Sequence, residues 1–105
     1  IMNLPKVIAT LVASQNNFDS HAYAGTFSET ATVFDEGKTH TGKQAIQNWI
    51  EKANQTYKAV MKPIKYSESE QTLQAEVSGN FPGSPLVLTY QFELKNEEIQ
   101  SLKIV

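Results

Sequence analysis

The chain has no cysteine, and with it go disulfide frameworks, thiolate metal sites and cysteine nucleophiles. It has no arginine: all nine basic residues are lysines, so no guanidinium fork can grip a carboxylate or a phosphate through two parallel bonds. Nine basic against eleven acidic residues leave a net charge of −2, which offers a phosphate backbone no footprint and argues against nucleic acid as a partner. No run of about 18 apolar residues occurs, so no membrane-spanning helix is expected. Ile1 to Lys6 lack the basic-then-apolar layout of a secretory leader, and a cytoplasmic location is the default expectation. There is no glycine-rich phosphate loop and no dinucleotide fingerprint, and Ser14, Ser20 and Ser28 stand in no nucleophile-elbow pattern. The two histidines, His21 and His40, lack ligand spacing, so neither a metal nor another cofactor is expected.

What is there is ordinary globular composition, 40% hydrophobic and 19% charged, over 105 residues: room for one domain and one core. Leu4, Val7, Ile8, Leu11 and Val12 trace the stripe of an amphipathic helix, with Pro5 in the first turn and Asn16-Asn17 as its break. Asp19 is a natural N-cap for a short second helix carrying Ala22, Tyr23 and Phe27 on one side. Ala31-Thr32-Val33-Phe34 reads as a strand running into Asp35-Glu36-Gly37; Gly37 and Lys38 suit a turn, and Lys38 to Thr41 pairs back as a hairpin arm. Gly42 precedes a third helix with Ile46, Trp49, Ile50 and Ala53 on its buried stripe, fading at Asn54-Gln55.

After Tyr57 the period changes from helical to alternating. One strand lies within Lys58–Ser67, with Val60, Ile64 and Tyr66 on one face, and another within Gln71–Phe81, with Leu73, Ala75, Val77 and Gly79 alternating. Phe81-Pro82-Gly83-Ser84-Pro85 is the strongest turn signal. Leu86 to Lys95 follows, with Leu88, Tyr90, Phe92 and Leu94 opposite Val87, Thr89, Gln91 and Glu93. In the last strand, Ile99 to Val105, Ile99 and Leu102 are out of step, which predicts a bulge or bend near Gln100. Three helices over a largely antiparallel sheet make an α+β layer fold, and a sheet that curls encloses a cavity with them.

The stretch Asn17-Phe18-Asp19…Tyr23…Phe27…Ala31-Thr32-Val33-Phe34-Asp35, then Thr41-Gly42-Lys43-Gln44-Ala45-Ile46…Trp49, resembles the nuclear-transport-factor-2-like superfamily. Its SnoaL-like polyketide cyclase and ketosteroid isomerase branches are the most similar. The resemblance covers nearly the whole chain and implies a single cone-shaped domain over residues 1–105. It also implies an apolar internal cavity for a small molecule and a homodimer through the outer face of the sheet. In the isomerase branch the strand aspartate after Ala-Thr-Val-x shuttles a proton beside a ketone, and Asp35 matches it. A first-helix tyrosine and a late-strand aspartic acid hold the enolate oxygen there; the matching positions are Leu11, which donates nothing, and Tyr90, which substitutes one hydroxyl for another. The epoxide-hydrolase branch needs an arginine between two aspartates, which this chain lacks. The scytalone dehydratase branch needs a histidine pair around one pocket.

Each candidate has two readings. Asp35 is a general base whose pKa rises in an apolar cavity, or a residue closing the Asp-Glu-Gly turn. Tyr90 is an oxyanion donor, or a core aromatic. His40 is an acid–base helper near the cavity mouth, or a solvent-exposed residue of a polar run. Trp49, Tyr66, Tyr23, Phe27 and Tyr57 line the cavity, or are ordinary core. Two functions follow: cofactor-independent acid–base catalysis on a small apolar carbonyl compound (isomerisation, cyclisation or dehydration), or a non-catalytic ligand-binding or dimerisation module.

Overall fold

Proline opens the first helix. Pro5 caps α1 (Lys6–Asn16), and Ile8 and Leu11 turn the apolar stripe into the core as their spacing requires. Asn16 both ends α1 and docks it, accepting from the Met61 N–H at 2.8 Å and donating to the Met61 carbonyl at 3.0 Å. Asp19 caps α2 (Ser20–Gly25), its carboxylate accepting from the Ala22 N–H at 3.0 Å. Phe27 does not ride on α2. The Thr26 hydroxyl closes the helix on the Tyr23 carbonyl at 2.7 Å, and the Thr26 carbonyl then accepts from the Ile99 N–H. The chain is therefore already strand at Phe27, and β1 runs Phe27–Asp35.

The computed structural model describes residues 3–105; Ile1 and Met2, which the single-domain reading also spans, lie outside the described residues. Glu36 and Gly37, with φ of 52° and 75°, form the two-residue turn from β1 to β2 (Lys38–Thr41), the left-handed pair that a tight hairpin needs. Gly42, at φ 92°, opens α3 (Lys43–Tyr57), which buries Ile46, Ile50 and Asn54. This helix outlasts the fading expected at Asn54-Gln55, because Asn54 is packed inward rather than frayed. Lys58 closes it in the left-handed conformation, its N–H on the Asn54 carbonyl.

A meander follows: β3 (Val60–Ser67), β4 (Thr72–Ser78), β5 (Leu86–Lys95) and β6 (Glu98–Ile104). The six strands form one open, bent sheet in the order β2-β1-β6-β5-β4-β3. Every neighbouring pair is antiparallel except β1–β6, which the long intervening chain allows to be parallel, so the sheet is mixed. Gln100 is the extra residue between the pairs Leu94↔Ile99 and Glu93↔Ser101, a bulge where the apolar phase slips. A second bulge corrects the reading of β3. Pro63 pairs with Ala75 and Lys65 with Gln74, so Ile64 is inserted beside a proline that has no N–H for the ladder. Val60 and Ile64 are consequently exposed, and Met61 and Tyr66 take the inner face. On that face Ile8, Leu11, Tyr23, Ile46 and Ile50 of the helices meet Val33, Leu73, Phe92 and Leu102 of the strands.

Candidate functional site

Strand register sets three side chains in one row. Val33 pairs with Leu102 and Phe34 with Lys103, so the next step of this parallel ladder brings Asp35 beside Ile104, which itself pairs with Tyr90. Asp35 and Tyr90 thus stand two strand spacings apart, about 10 Å between backbones, with Ile104 between them. Alternation gives both the same face as Val33, Leu102 and Leu73, the face the helices cover.

Above the row lies a cavity of about 540 Å³. Asp35 and Tyr90 line it from the sheet, Tyr23 from α2, and Trp49 and Tyr57 from α3. The rest of the wall is mostly aliphatic, including Ile50, Met61, Val77 and Leu88, and Phe81, Pro82 and Leu86 form part of the rim. Tyr57 meets Phe81 edge-on, ring centroids 6.2 Å apart.

The apolar setting acts on all three acids. Asp35 is half-buried; loss of hydration raises its pKa, the nearby Glu36 charge adds to this, and a backbone hydrogen bond at Glu36 pulls the other way. Burial raises the Tyr90 phenol well above its usual range, and the charge of Asp35 raises it further. Tyr23 is likewise raised by burial, then by Tyr90 and by Asp35. Both phenols are therefore protonated donors across the physiological range. Neither hydroxyl has a hydrogen-bond partner among the described residues, where no sealed side-chain oxygen or nitrogen lacks one, so both oxygens open on the cavity. Tyr23 thereby supplies from α2 a hydroxyl of the kind Leu11 does not; Leu11 itself is fully buried in the core.

The remaining candidates lie elsewhere. His40 is outside the cavity, behind Trp49, with its ring stacked on the indole at 5.3 Å and 26°. It borders a smaller neighbouring hollow with Lys38, Lys52 and Thr56, which Asp35 also lines. Partial burial and then Lys38 lower its pKa, so it is neutral at pH 7. His21 is exposed on α2, so the two histidines share no pocket. Tyr66 sits at the β3 end of the Tyr90–Leu73 row, packed on the core but short of the cavity. Phe27 is fully buried beneath Tyr23, centroids 5.8 Å apart, and does not line this cavity.

Besides Glu36 and the apolar wall, sequence reasoning missed two amides of the lining, Gln15 and Asn54. Their signal was present: each occupies a core position of its helix stripe, Gln15 after Ile8 and Leu11, Asn54 after Ile46 and Ile50, and each is polar. No cluster of three or more potential metal ligands occurs among the described residues, and none of their helices is long and apolar enough to cross a membrane.

No protein-family model and no curated protein matches the chain. Solved structures do. A candidate polyketide cyclase from Sinorhizobium meliloti is 35% identical, with a TM-score of 0.90 over 97% of this chain and 95% of that one. A ketosteroid isomerase-like fold from Catenulispora acidiphila, solved with trimethylamine, is 20% identical, with a TM-score of 0.85 over 98% and 86%. An epoxide hydrolase/cyclase-like enzyme of pyran-ring formation in salinomycin is 19% identical, with a TM-score of 0.71 over 94% and 86%. The last two show likeness of fold.

Proposed function

We propose that this chain, which belongs to the SnoaL-like, nuclear-transport-factor-2-like superfamily, binds a small and largely apolar carbonyl compound and moves a proton on it without a cofactor. The observation that carries this reading is the half-buried Asp35 carboxylate and two buried phenols, Tyr23 and Tyr90, without partners among the described residues, opening on a single largely apolar cavity. The substrate's carbonyl oxygen lies between the Tyr90 and Tyr23 hydroxyls, with the adjacent C–H toward Asp35. Asp35 takes that proton, the C–H pair becomes the carbon–carbon double bond as the carbonyl π pair moves to oxygen, and the phenols hold the enolate. Return of the proton to another carbon isomerises the compound; attack of the enolate carbon on a second carbonyl of the same molecule closes a ring. A positioned base contributes roughly 10²–10⁴-fold, and one oriented donor to a developing oxyanion roughly 2.7–4 kcal/mol. His40 acts only through Trp49, as a support for the cavity wall.

Deuterium uptake at the α-carbon of 2-tetralone in D₂O, followed by proton NMR, tests the chemistry without knowledge of the natural substrate. The protein is expected to accelerate uptake, and Asp35→Asn to cut that acceleration about 10²–10⁴-fold. A wild-type rate equal to that of buffer overturns the catalytic reading. The alternative, a binding or dimerisation module, draws on the outer sheet face, where Val87 is 58% and Phe34 38% exposed. Homodimerisation there is compatible with either function.

A further inference from the structure

Away from Asp35, the cavity wall carries two amides where helix spacing calls for hydrophobes. Gln15 and Asn54 are each 8% exposed. Their bonds fix which atoms they present. Gln15 Nε2 donates to the Ala59 carbonyl at 2.7 Å and to Asn54 Oδ1 at 3.1 Å. Only a nitrogen can face a carbonyl, so Gln15 Oε1 points elsewhere; only an oxygen can accept from Gln15, so Asn54 Nδ2 is left over. Neither leftover atom has a partner among the described residues, where no sealed polar atom is unpartnered, and both residues line the cavity. An acceptor and a donor therefore open together on an apolar chamber. Docking α1 and α3 against the start of β3 accounts for the bonded atoms of this pair but not for the two left open, which leucine or methionine would have spared.

The pair sits against Ala59 and Met61, at the β3 edge of the sheet, whereas Asp35 is on β1. Four strand spacings separate those strands, roughly 19 Å of backbone, shortened between side-chain tips by the bend of the sheet. We propose that Gln15 and Asn54 form a second polar subsite, which takes a hydroxyl group at the end of the ligand remote from its carbonyl. A hydroxyl accepts from Asn54 Nδ2 and donates to Gln15 Oε1, using both open atoms; a carbonyl or ether oxygen uses only the first. A carboxylate would meet the Gln15 oxygen with no lysine in the cavity wall to offset it. Resting on the cavity reading above, the inference narrows the substrate class to elongated apolar molecules with a carbonyl at one end and a hydroxyl at the other.

Three probes of one shape test it: 4-acetyl-4′-hydroxybiphenyl, its 4′-methyl analogue and unsubstituted 4-acetylbiphenyl, titrated by calorimetry. The hydroxyl compound is expected to bind the wild-type protein about 10-fold more tightly than the methyl compound, the difference two neutral hydrogen bonds make. It should also shift the Asn54 side-chain amide resonances, which the methyl compound leaves in place. Asn54→Leu should abolish the preference while retaining the methyl compound. Should that variant not fold, the wild-type ratio and the amide shift decide alone. Equal affinities, or a preference without movement of the Asn54 amide, overturn the subsite and leave the cavity reading standing. Binding of none of the three overturns both.

Discussion

Gly79 joins the end of β4 to the corner where α3 passes into β3, and replacing it by alanine tests the packing behind the site. A Cβ there would stand 2.6 Å from the Tyr57 carbonyl oxygen, 2.9 Å from Ala59 Cα and 3.1 Å from Ala59 Cβ. Two of those three atoms are backbone, so no rotamer change relieves them. The corner also carries the bond from the Asn80 N–H to the Tyr57 carbonyl, 2.7 Å long, which any retreat of Tyr57 stretches. Overpacking of this kind costs about 1–3 kcal/mol, and the lost bond about 1 more. Against this, alanine restricts the unfolded chain and returns about 0.4–1 kcal/mol. The balance is a loss of about 1–3.5 kcal/mol, or about 5–16 °C in Tm for a domain of this size. Thermal unfolding followed by circular dichroism reads it directly. Gly25→Ala is the control, because a Cβ at Gly25 meets nothing within 4 Å and its φ lies outside the left-handed region. That variant should melt at or slightly above the wild-type temperature. A Gly79→Ala protein as stable as Gly25→Ala would refute the corner packing, and with it the support of Tyr57 and Ala59 at the cavity wall.

Asp35 should titrate above the ordinary aspartate value of 3.8 by carboxyl NMR, because burial disfavours the charge; a midpoint at or below that value contradicts its placement. With the folded pKa raised, the stability Asp35 contributes is complete below its unfolded pKa and is lost as pH rises through the folded one. The Tm of Asp35→Asn should therefore gain on wild type between pH 3 and pH 7, and a constant difference refutes the linkage. Tyr90→Phe removes a hydroxyl with no partner among the described residues, so Tm should barely move while deuterium exchange falls about 10²–10³-fold; a large Tm loss would reveal a structural bond instead. Sedimentation should give about twice the 11.7 kDa chain mass if the outer face pairs two copies, and a clean monomer at micromolar concentration removes that interface.

Local chemistry made much of this fold legible in the sequence. The helix stripes, the Asp19 cap and the phase slip at Gln100 all act within a few residues, and each lies where its chemistry points, while the turn expected at Gly37-Lys38 falls one residue earlier, at Glu36-Gly37. Failures arose where distant chain decides. Phe27 has the character of either element, and Thr26, bonding forward to Ile99, makes it strand. Val60, Ile64 and Tyr66 alternate correctly on paper, but a bulge beside Pro63 inverts the first two. In the site, Asp35, Tyr90, Tyr23, Trp49 and Tyr57 share one cavity, because a strand row and two helix stripes meet there. His40 has the right chemistry on a strand whose direction takes it behind Trp49. Asn54 reads in the sequence as the fading end of its helix, and Gln15 stands beside the Asn16-Asn17 break, although their stripe positions mark both as buried.

The parallel β1–β6 pair carries a further consequence. It is the only seam in the sheet between the hairpin that bears Asp35 and the meander that bears Tyr90, and its register already shifts between Phe27 and Thr32. Side chains alternate with a period of two, so a slip of one residue along this seam turns Asp35 to the outside and brings Phe34 in. The meander could keep its hydrogen bonds through such an error, and the chain would keep much of its secondary structure. Misregistration at a single ladder would thus yield a compact conformer whose cavity lacks the Asp35 carboxylate, separable from the native one by the Asp35 titration before it is separable by circular dichroism. The burial of Val33 opposite Leu102 is what holds the two apart.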